Sequence, residues 1–194
     1  MTEQRGSGVF LDRDGVIVEE VDHLGHPDQL RLIPGSARAI RLLNDQNVPV
    51  LVVSNQAGVA RGYYPEARVA EVHDALQSLL GAEQAHVDAF YYCPHHPTHG
   101  VGEYLTRCDC RKPRPGMLSR AAADHAIDLG SSVMVGDKAS DIGAGRAAGC
   151  ATVLVQTGHG ADEWRRWGES FQPDLVAADL LEAVPWIASR VRAR

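Results

Sequence analysis

Six short apolar runs, at 8–11, 48–53, 89–92, 133–135, 151–155 and 175–176, alternate with stretches of helical spacing along this chain. Strands separated by helix-length segments cannot pair through tight hairpins, so they are driven to lie parallel under crossover helices. Val69, Val72, Leu76, Leu79 and Leu80 recur at helical intervals, and Ile40 and Leu43 follow Ser36, which reads as an N-cap. Further helices are expected over 116–129 and 140–148. The 194 residues are few for an eight-stranded barrel, so the pattern predicts an α/β fold with a doubly wound parallel sheet. No repeat or linker divides the chain, and a single domain over 1–194 is expected.

Two segments break the alternation. Residues 19–33 are too rich in His, Pro and Asp for a core element, and 94–115 form a long proline-containing loop without periodicity. Loops of that length in a compact domain are usually functional or held by something. No insertion is large enough to fold as a cap domain. The glycines at 143, 145 and 149 are spaced one residue too widely for a dinucleotide-binding turn.

A net charge of −6 without a basic block argues against a nucleic-acid partner, and the arginines of 190–194 read as a frayed helix end. No apolar run approaches a membrane span, so a cytoplasmic protein is expected. In that compartment cysteines stay reduced, and clustering signals metal. Cys150, in an apolar context, reads as a small buried residue.

The chemistry starts at Phe10-Leu11-Asp12-Arg13-Asp14-Gly15-Val16, two acids directly after an apolar strand. One Asp can attack phosphorus while a second moves the leaving-group proton. Ser54-Asn55-Gln56 follows the second run, Arg111-Lys112-Pro113 precedes a helix, and Gly136-Asp137-Lys138 follows the fourth run, with Asp141 one helical turn on. Alone, each is an ordinary polar turn or surface charge. Together they gather groups suited to a phosphate dianion at the strand ends. Two carboxylates about 4 Å apart repel by roughly 4 kcal/mol at an effective dielectric near 20, so Asp12 and Asp137 require a cation. Oxygen ligands with open positions select Mg²⁺.

These four ordered motifs resemble those of the haloacid dehalogenase superfamily of phosphatases over most of the chain. The resemblance implies that Asp12 is the nucleophile and Asp14 the general acid and base. Ser54 and Lys112 would stabilise the phosphoryl group, and Asp12, the Asp14 carbonyl and Asp137 would bind Mg²⁺.

Cys93-Pro94-His95 and Cys108-Asp109-Cys110 add three thiols and an imidazole, a tetrahedral set suited to structural Zn²⁺ over a loop of about 93–115. A Cys108–Cys110 disulfide would close a very small strained ring, and His96 and His99 are rival fourth ligands. Cys-Pro-His-His-Pro with Cys-Asp-Cys-Arg-Lys-Pro-Arg-Pro-Gly-Met resembles the heptose-bisphosphate and histidinol-phosphate phosphatase branch of the superfamily. The segments 54–62 and 136–138 are most similar to its heptose members. That likeness implies hydrolysis of the C7 phosphate of D-glycero-D-manno-heptose 1,7-bisphosphate; a monomer is expected. Arg111 would read the remote phosphate, and Arg13, Glu20, Val21, Asp22, His23, Ser54, Asn55, Gln56, Ala57, Lys112 and Lys138 would contribute substrate contacts. Residues 19–27 depart from the branch's Asp-His-Gly-Tyr-like segment, and their acidity suits the amine of histidinol phosphate as an alternative. A zinc-stapled phosphate-binding module is the non-enzymatic alternative.

Overall fold

The computed structural model describes residues 6–191 and contains one six-stranded, all-parallel sheet in the order β3-β2-β1-β4-β5-β6. The strands are β1 (Val9–Leu11), β2 (Val50–Asn55), β3 (Ala89–Cys93), β4 (Val133–Gly136), β5 (Ala151–Val155) and β6 (Leu175–Ala177). The helices are α1 (Ser36–Asn44), α2 (Ala57–Ala60), α3 (Ala67–Ala82), α4 (Gly116–Asp124), α5 (Ala139–Ala148), α6 (Gly160–Phe171) and α7 (Leu180–Arg190).

Alternation along the strands divides the core in two. Val9 and Leu11 pack with Ile40 of α1, Leu76 of α3 and Ile187 of α7, whereas Phe10 faces Leu118 of α4 and Ala144 of α5 on the opposite side. Helices therefore cover both faces, which is why the central strands are apolar throughout rather than alternating with polar residues. Val9 pairs with Val50 on one side and Val133 on the other. The chain order reverses between β1 and β4, and in such sheets the ligand crevice opens beyond the carboxyl ends of those two strands.

The expected elements differ from the structure at several places. β2 runs on to Asn55, so Ser54 and Asn55 belong to the strand and not to a turn. The N-cap of α1 is Gly35, and Ser36 is its first residue, with Oγ donating to the Ile17 carbonyl at 2.8 Å. α4 stops at Asp124, before a separate turn at Leu129–Ser131. α2, α6 and α7 lie outside the helices expected from the sequence, although Asp179 N-caps α7 by accepting the Glu182 N–H at 2.8 Å. Pro185 sits inside α7, where its missing N–H and its ring normally break a helix. Leu180, Ala183, Val184 and Ile187 are buried on that helix, and their burial offsets the lost backbone bond. Arg190 ends α7 as expected, while 192–194 of the arginine tail lie outside the described residues. Among the described residues no helix is long and apolar enough to cross a membrane.

Candidate active site

Asp12 leaves β1 and Asp137 leaves β4, on either side of the crevice. Carboxylate oxygens of Asp12, Asp137 and Asp141 all lie within 4.8 Å of one another, and all three residues are buried. Close approach here depends on Gly15, at φ +82°, where a Cβ would stand 2.2 Å from Asp137 Oδ2. Thr157 closes the same turn by donating to the Gly15 carbonyl at 2.6 Å.

Asp137 Oδ2 accepts the His159 backbone N–H at 2.8 Å, but Oδ1 is buried without a hydrogen bond, with Lys138 Nζ at 3.9 Å. Burial, helped by Asp141 and Asp12 and opposed by Lys138, pushes the Asp137 pKa up to about 8. A buried oxygen in this state wants a cation. The all-oxygen, multiply charged donor set fits Mg²⁺, with Asp12 and Asp137 as natural ligands.

Lys112 is inserted among these acids, with Lys138 at their margin. The Lys112 Nζ lies 2.7 Å from Asp141 Oδ1, 3.1 Å from Asp12 Oδ1 and donates to the Val53 carbonyl at 2.7 Å. Burial would lower its pKa, yet Asp12 and Asp141 outweigh that and the net shift is upward. Asn55 brings the lysine there: its Nδ2 donates to the Lys112 carbonyl at 3.2 Å, and its Oδ1 accepts the Lys112 N–H at 3.1 Å. The Asn55 amide thus extends the strand ladder sideways. Asp12 Oδ1 also accepts the Arg13 N–H at 2.8 Å.

Asp14 is partly exposed beside this cluster. Arg13, wholly buried beneath it, donates from Nε and Nη2 to its two carboxylate oxygens at 3.0 and 2.9 Å. Gln56 reaches Asp14 Oδ2 at 3.3 Å and Ser54 Oγ at 2.7 Å.

Asp12, Asp14, Ser54 and Lys112 line one cleft of about 300 Å³ together with Glu20, Asp22, His23, Asn55, Gln56, Ala57, Arg111 and Lys138. Most of the expected contact residues therefore converge. Two do not line it: Arg13 lies below the floor, and Val21 packs against the core. Leu24, Tyr64, Ser140 and His159 line it without having been expected, and Asp141, read as a companion of Asp137, completes the acid cluster. Glu20 accepts from Lys138 Nζ at 2.6 Å and lies 3.5 Å from His159 Nε2, which ties the 19–27 loop to the end of β4.

The second cluster lies at the end of β3. Cys93 Sγ is 3.0 Å from Cys110 Sγ and 3.5 Å from Cys108 Sγ, Cys110 and Cys108 are 3.2 Å apart, and His95 Nδ1 is 3.4 Å from Cys110 Sγ. These separations exceed a disulfide and approach the sulfur–sulfur edge of about 3.8 Å implied by Zn–S bonds of about 2.3 Å. His95 completes the cluster, while His96 Nδ1 instead accepts the backbone N–H groups of Thr98 and His99. Hydrogen bonding with Cys93 is the largest influence holding the Cys110 thiol down to about 5, and the same contact drives Cys93 upward. Three thiols and an imidazole gathered this closely form a soft donor set suited to Zn²⁺. Arg111 follows Cys110 directly and donates from Nη1 to the His95 carbonyl at 3.1 Å, so the cluster also aims the guanidinium at the cleft.

A parallel sheet with this acid, hydroxyl and ammonium set at its switch point is that of the haloacid-dehalogenase-like hydrolases, and a HAD-hydrolase-like family model matches residues 109–183. The chain is 47% identical to "D-glycero-D-manno-heptose-1,7-bisphosphate 7-phosphatase" of Thermosynechococcus vestitus, over 96% of this chain and 97% of that protein. It is 39% identical to the Haemophilus ducreyi "D-glycero-beta-D-manno-heptose-1,7-bisphosphate 7-phosphatase", over 92% and 97% of the two chains. The crystal structure of D,D-heptose 1,7-bisphosphate phosphatase from B. bronchiseptica with magnesium and phosphate superposes with a TM-score of 0.83 at 34% identity, covering 94% of this chain and 98% of that one. The chain belongs to the heptose-1,7-bisphosphate 7-phosphatase family.

Proposed function

We propose that this chain, as a single catalytic domain, removes the C7 phosphate from D-glycero-D-manno-heptose 1,7-bisphosphate through phosphoryl transfer to Asp12. The observation that carries the reading is the convergence of Asp12, Asp14, Ser54 and Lys112 on one cleft. No hydrogen bond reaches Asp12 Oδ2 among the described residues, which leaves that oxygen for attack on phosphorus. As the new O–P bond forms, the bond between phosphorus and the C7 oxygen breaks, and Asp14 gives its proton to the departing alkoxide. Asp14 then takes a proton from water, whose oxygen attacks phosphorus and breaks the bond to Asp12, releasing inorganic phosphate. Lys112 and the Ser54 hydroxyl hold the transferring oxygens throughout. Mg²⁺ held by Asp12, Asp137 and the Asp14 carbonyl would neutralise phosphoryl charge.

Arg111 has no carboxylate partner among the described residues, and a guanidinium forks readily onto a second phosphate. That favours a bisphosphate. Glu20, the acid that would have welcomed the amine of histidinol phosphate, is already paired with Lys138. A pure phosphate-binding module would need neither an attacking carboxylate nor a proton carrier beside it. The thiol cluster is assigned structural Zn²⁺, which with free cysteines suits a reducing, cytoplasmic setting.

The test is release of inorganic phosphate in Mg²⁺, with kcat/KM compared for heptose bisphosphate, fructose bisphosphate and histidinol phosphate. Heptose bisphosphate is expected to lead, and Asp12→Asn to abolish turnover. Unaltered phosphate release by Asp12→Asn rejects the nucleophile.

A further inference from the structure

We propose that Gln56, although it lines the cleft beside Ser54, is a positioning residue that sets the direction of the Ser54 hydroxyl, its own carboxamide being spent on the protein rather than on substrate. This rests on the phosphoryl contact assigned to Ser54 above. The Gln56 residue is only 2% exposed, and its carboxamide is fully employed inside the protein. Nε2 donates to Ser54 Oγ at 2.7 Å and to Asp14 Oδ2 at 3.3 Å, while Oε1 accepts from Arg13 Nη2 at 3.2 Å and from the Tyr64 hydroxyl at 3.1 Å. A primary amide has two N–H donors and an oxygen with two lone pairs, so nothing remains for a ligand.

The amide orientation follows from its neighbours. Turned over, it would set its oxygen against the Asp14 carboxylate and its N–H groups against the Arg13 guanidinium, pairing acceptor with acceptor and donor with donor. With Nε2 directed at Ser54, one lone pair of Oγ is occupied and the hydroxyl proton must turn elsewhere. Ser54 lines the cleft, so that proton is free for a phosphoryl oxygen. Arg13 cannot wander from the other side of the amide, since it is wholly buried and forked onto Asp14.

Tyr64 fixes the last corner. Its ring is wedged between two glycines: a Cβ built on Gly25 would stand 2.2 Å from the ring, and one on Gly58 would stand 2.4 Å from it. The hydroxyl is therefore delivered to Gln56 by packing on two separate segments, the 19–27 loop and α2.

The experiment is a double-mutant cycle of Gln56→Met with Ser54→Ala, reading kcat and KM separately. A residue acting through Ser54 loses most of its effect once the hydroxyl is gone. Gln56→Met is expected to lower kcat about 10- to 100-fold with KM within about two-fold, and to cost no more than about three-fold in the Ser54→Ala background. Multiplicative losses, or a raised KM at unchanged kcat, would overturn the assignment, the second by marking a substrate contact. A wild-type kcat in Ser54→Ala alone refutes the role given to Ser54, and the inference with it. Should Gln56→Met not fold, Tyr64→Phe carries the same cycle, because it keeps the wedged ring and removes only the O–H that anchors Oε1. A kcat loss that disappears in the Ser54→Ala background supports the inference, and an equal loss in both backgrounds overturns it.

Discussion

Lys112→Met is the substitution that most directly probes how this site tolerates its own charge. The ammonium is almost fully buried, close to Asp12 and Asp141 and bonded to the Val53 carbonyl. Methionine matches its length but leaves three acids whose oxygens lie within 4.8 Å of one another. Each ionised pair at that separation repels by about 3.5 kcal/mol at an effective dielectric near 20. The Asp137 pKa is already raised to about 8, so the damage falls on the remaining acids; protonation of one of them caps it, and holding a proton on an ordinary Asp at pH 7 costs about 4 kcal/mol. Removing one partner of a buried ion pair costs about 3–5 kcal/mol, in agreement. For a chain of this length that lowers Tm by about 8–16 °C. The assay is a thermal melt in chelator and again in Mg²⁺, alongside phosphate release. Mg²⁺ should rescue the variant more than the wild type, since only Lys138, 3.9 Å from Asp137 Oδ1, then remains to oppose the acids. Lys112→Met combined with Asp141→Asn should recover most of the lost Tm by deleting one of the cluster's charges, while leaving turnover low. A variant melting within about 2 °C of wild type in chelator refutes the charge-balance reasoning, as does a double variant less stable than the single one.

Three further outcomes are expected. One zinc per chain should be found by elemental analysis, and its removal, or Cys110→Ser, should lower Tm and expose 94–115 to protease; an unchanged melt counts against a structural metal. Arg111→Ala should reduce kcat/KM for heptose bisphosphate at least about ten-fold more than for a monophosphate, and equal losses reject a second-phosphate contact. His73 is buried against Phe90 with its pKa lowered to about 3 by burial, Arg13 adding to the shift. The unfolded chain then holds one more proton between the folded value and 6.5, so stability falls as pH drops below 6.5, by about 1.4 kcal/mol per unit from this residue. His73→Gln should flatten the dependence in urea melts between about pH 5 and 6.5, and parallel curves would show that His73 does not titrate as inferred.

Much of the fold was readable because parallel strands buried on both faces are continuously apolar, and such runs stand out between helical segments. α7 was not, since Pro185 reads as a helix breaker and only tertiary burial overrides it. The acids were legible as Asp12 and Asp14 because they share the end of one strand. Tyr64 was not, because its place depends on two distant glycines at 25 and 58 that no periodicity links to it. The choice of His95 over His96 and His99 is not legible from spacing, which leaves all three within reach of the cysteines. β3 ends at Cys93, so strand alternation does not reach His95; what separates the candidates is that His95 joins the cysteines while His96 Nδ1 is taken up by the N–H groups of Thr98 and His99.

The Tyr64 wedge has a consequence for anyone wishing to give this enzyme a new substrate by loop exchange. The 19–27 segment looks like a free cassette, yet it is keyed to the scaffold at Gly25. A transplanted loop with any side chain at that point would collide with the Tyr64 ring, which cannot retreat without also leaving Gly58. Libraries that vary 19–24 while keeping glycine at 25 preserve the key; those that vary 25 need a smaller residue at 64 in the same design.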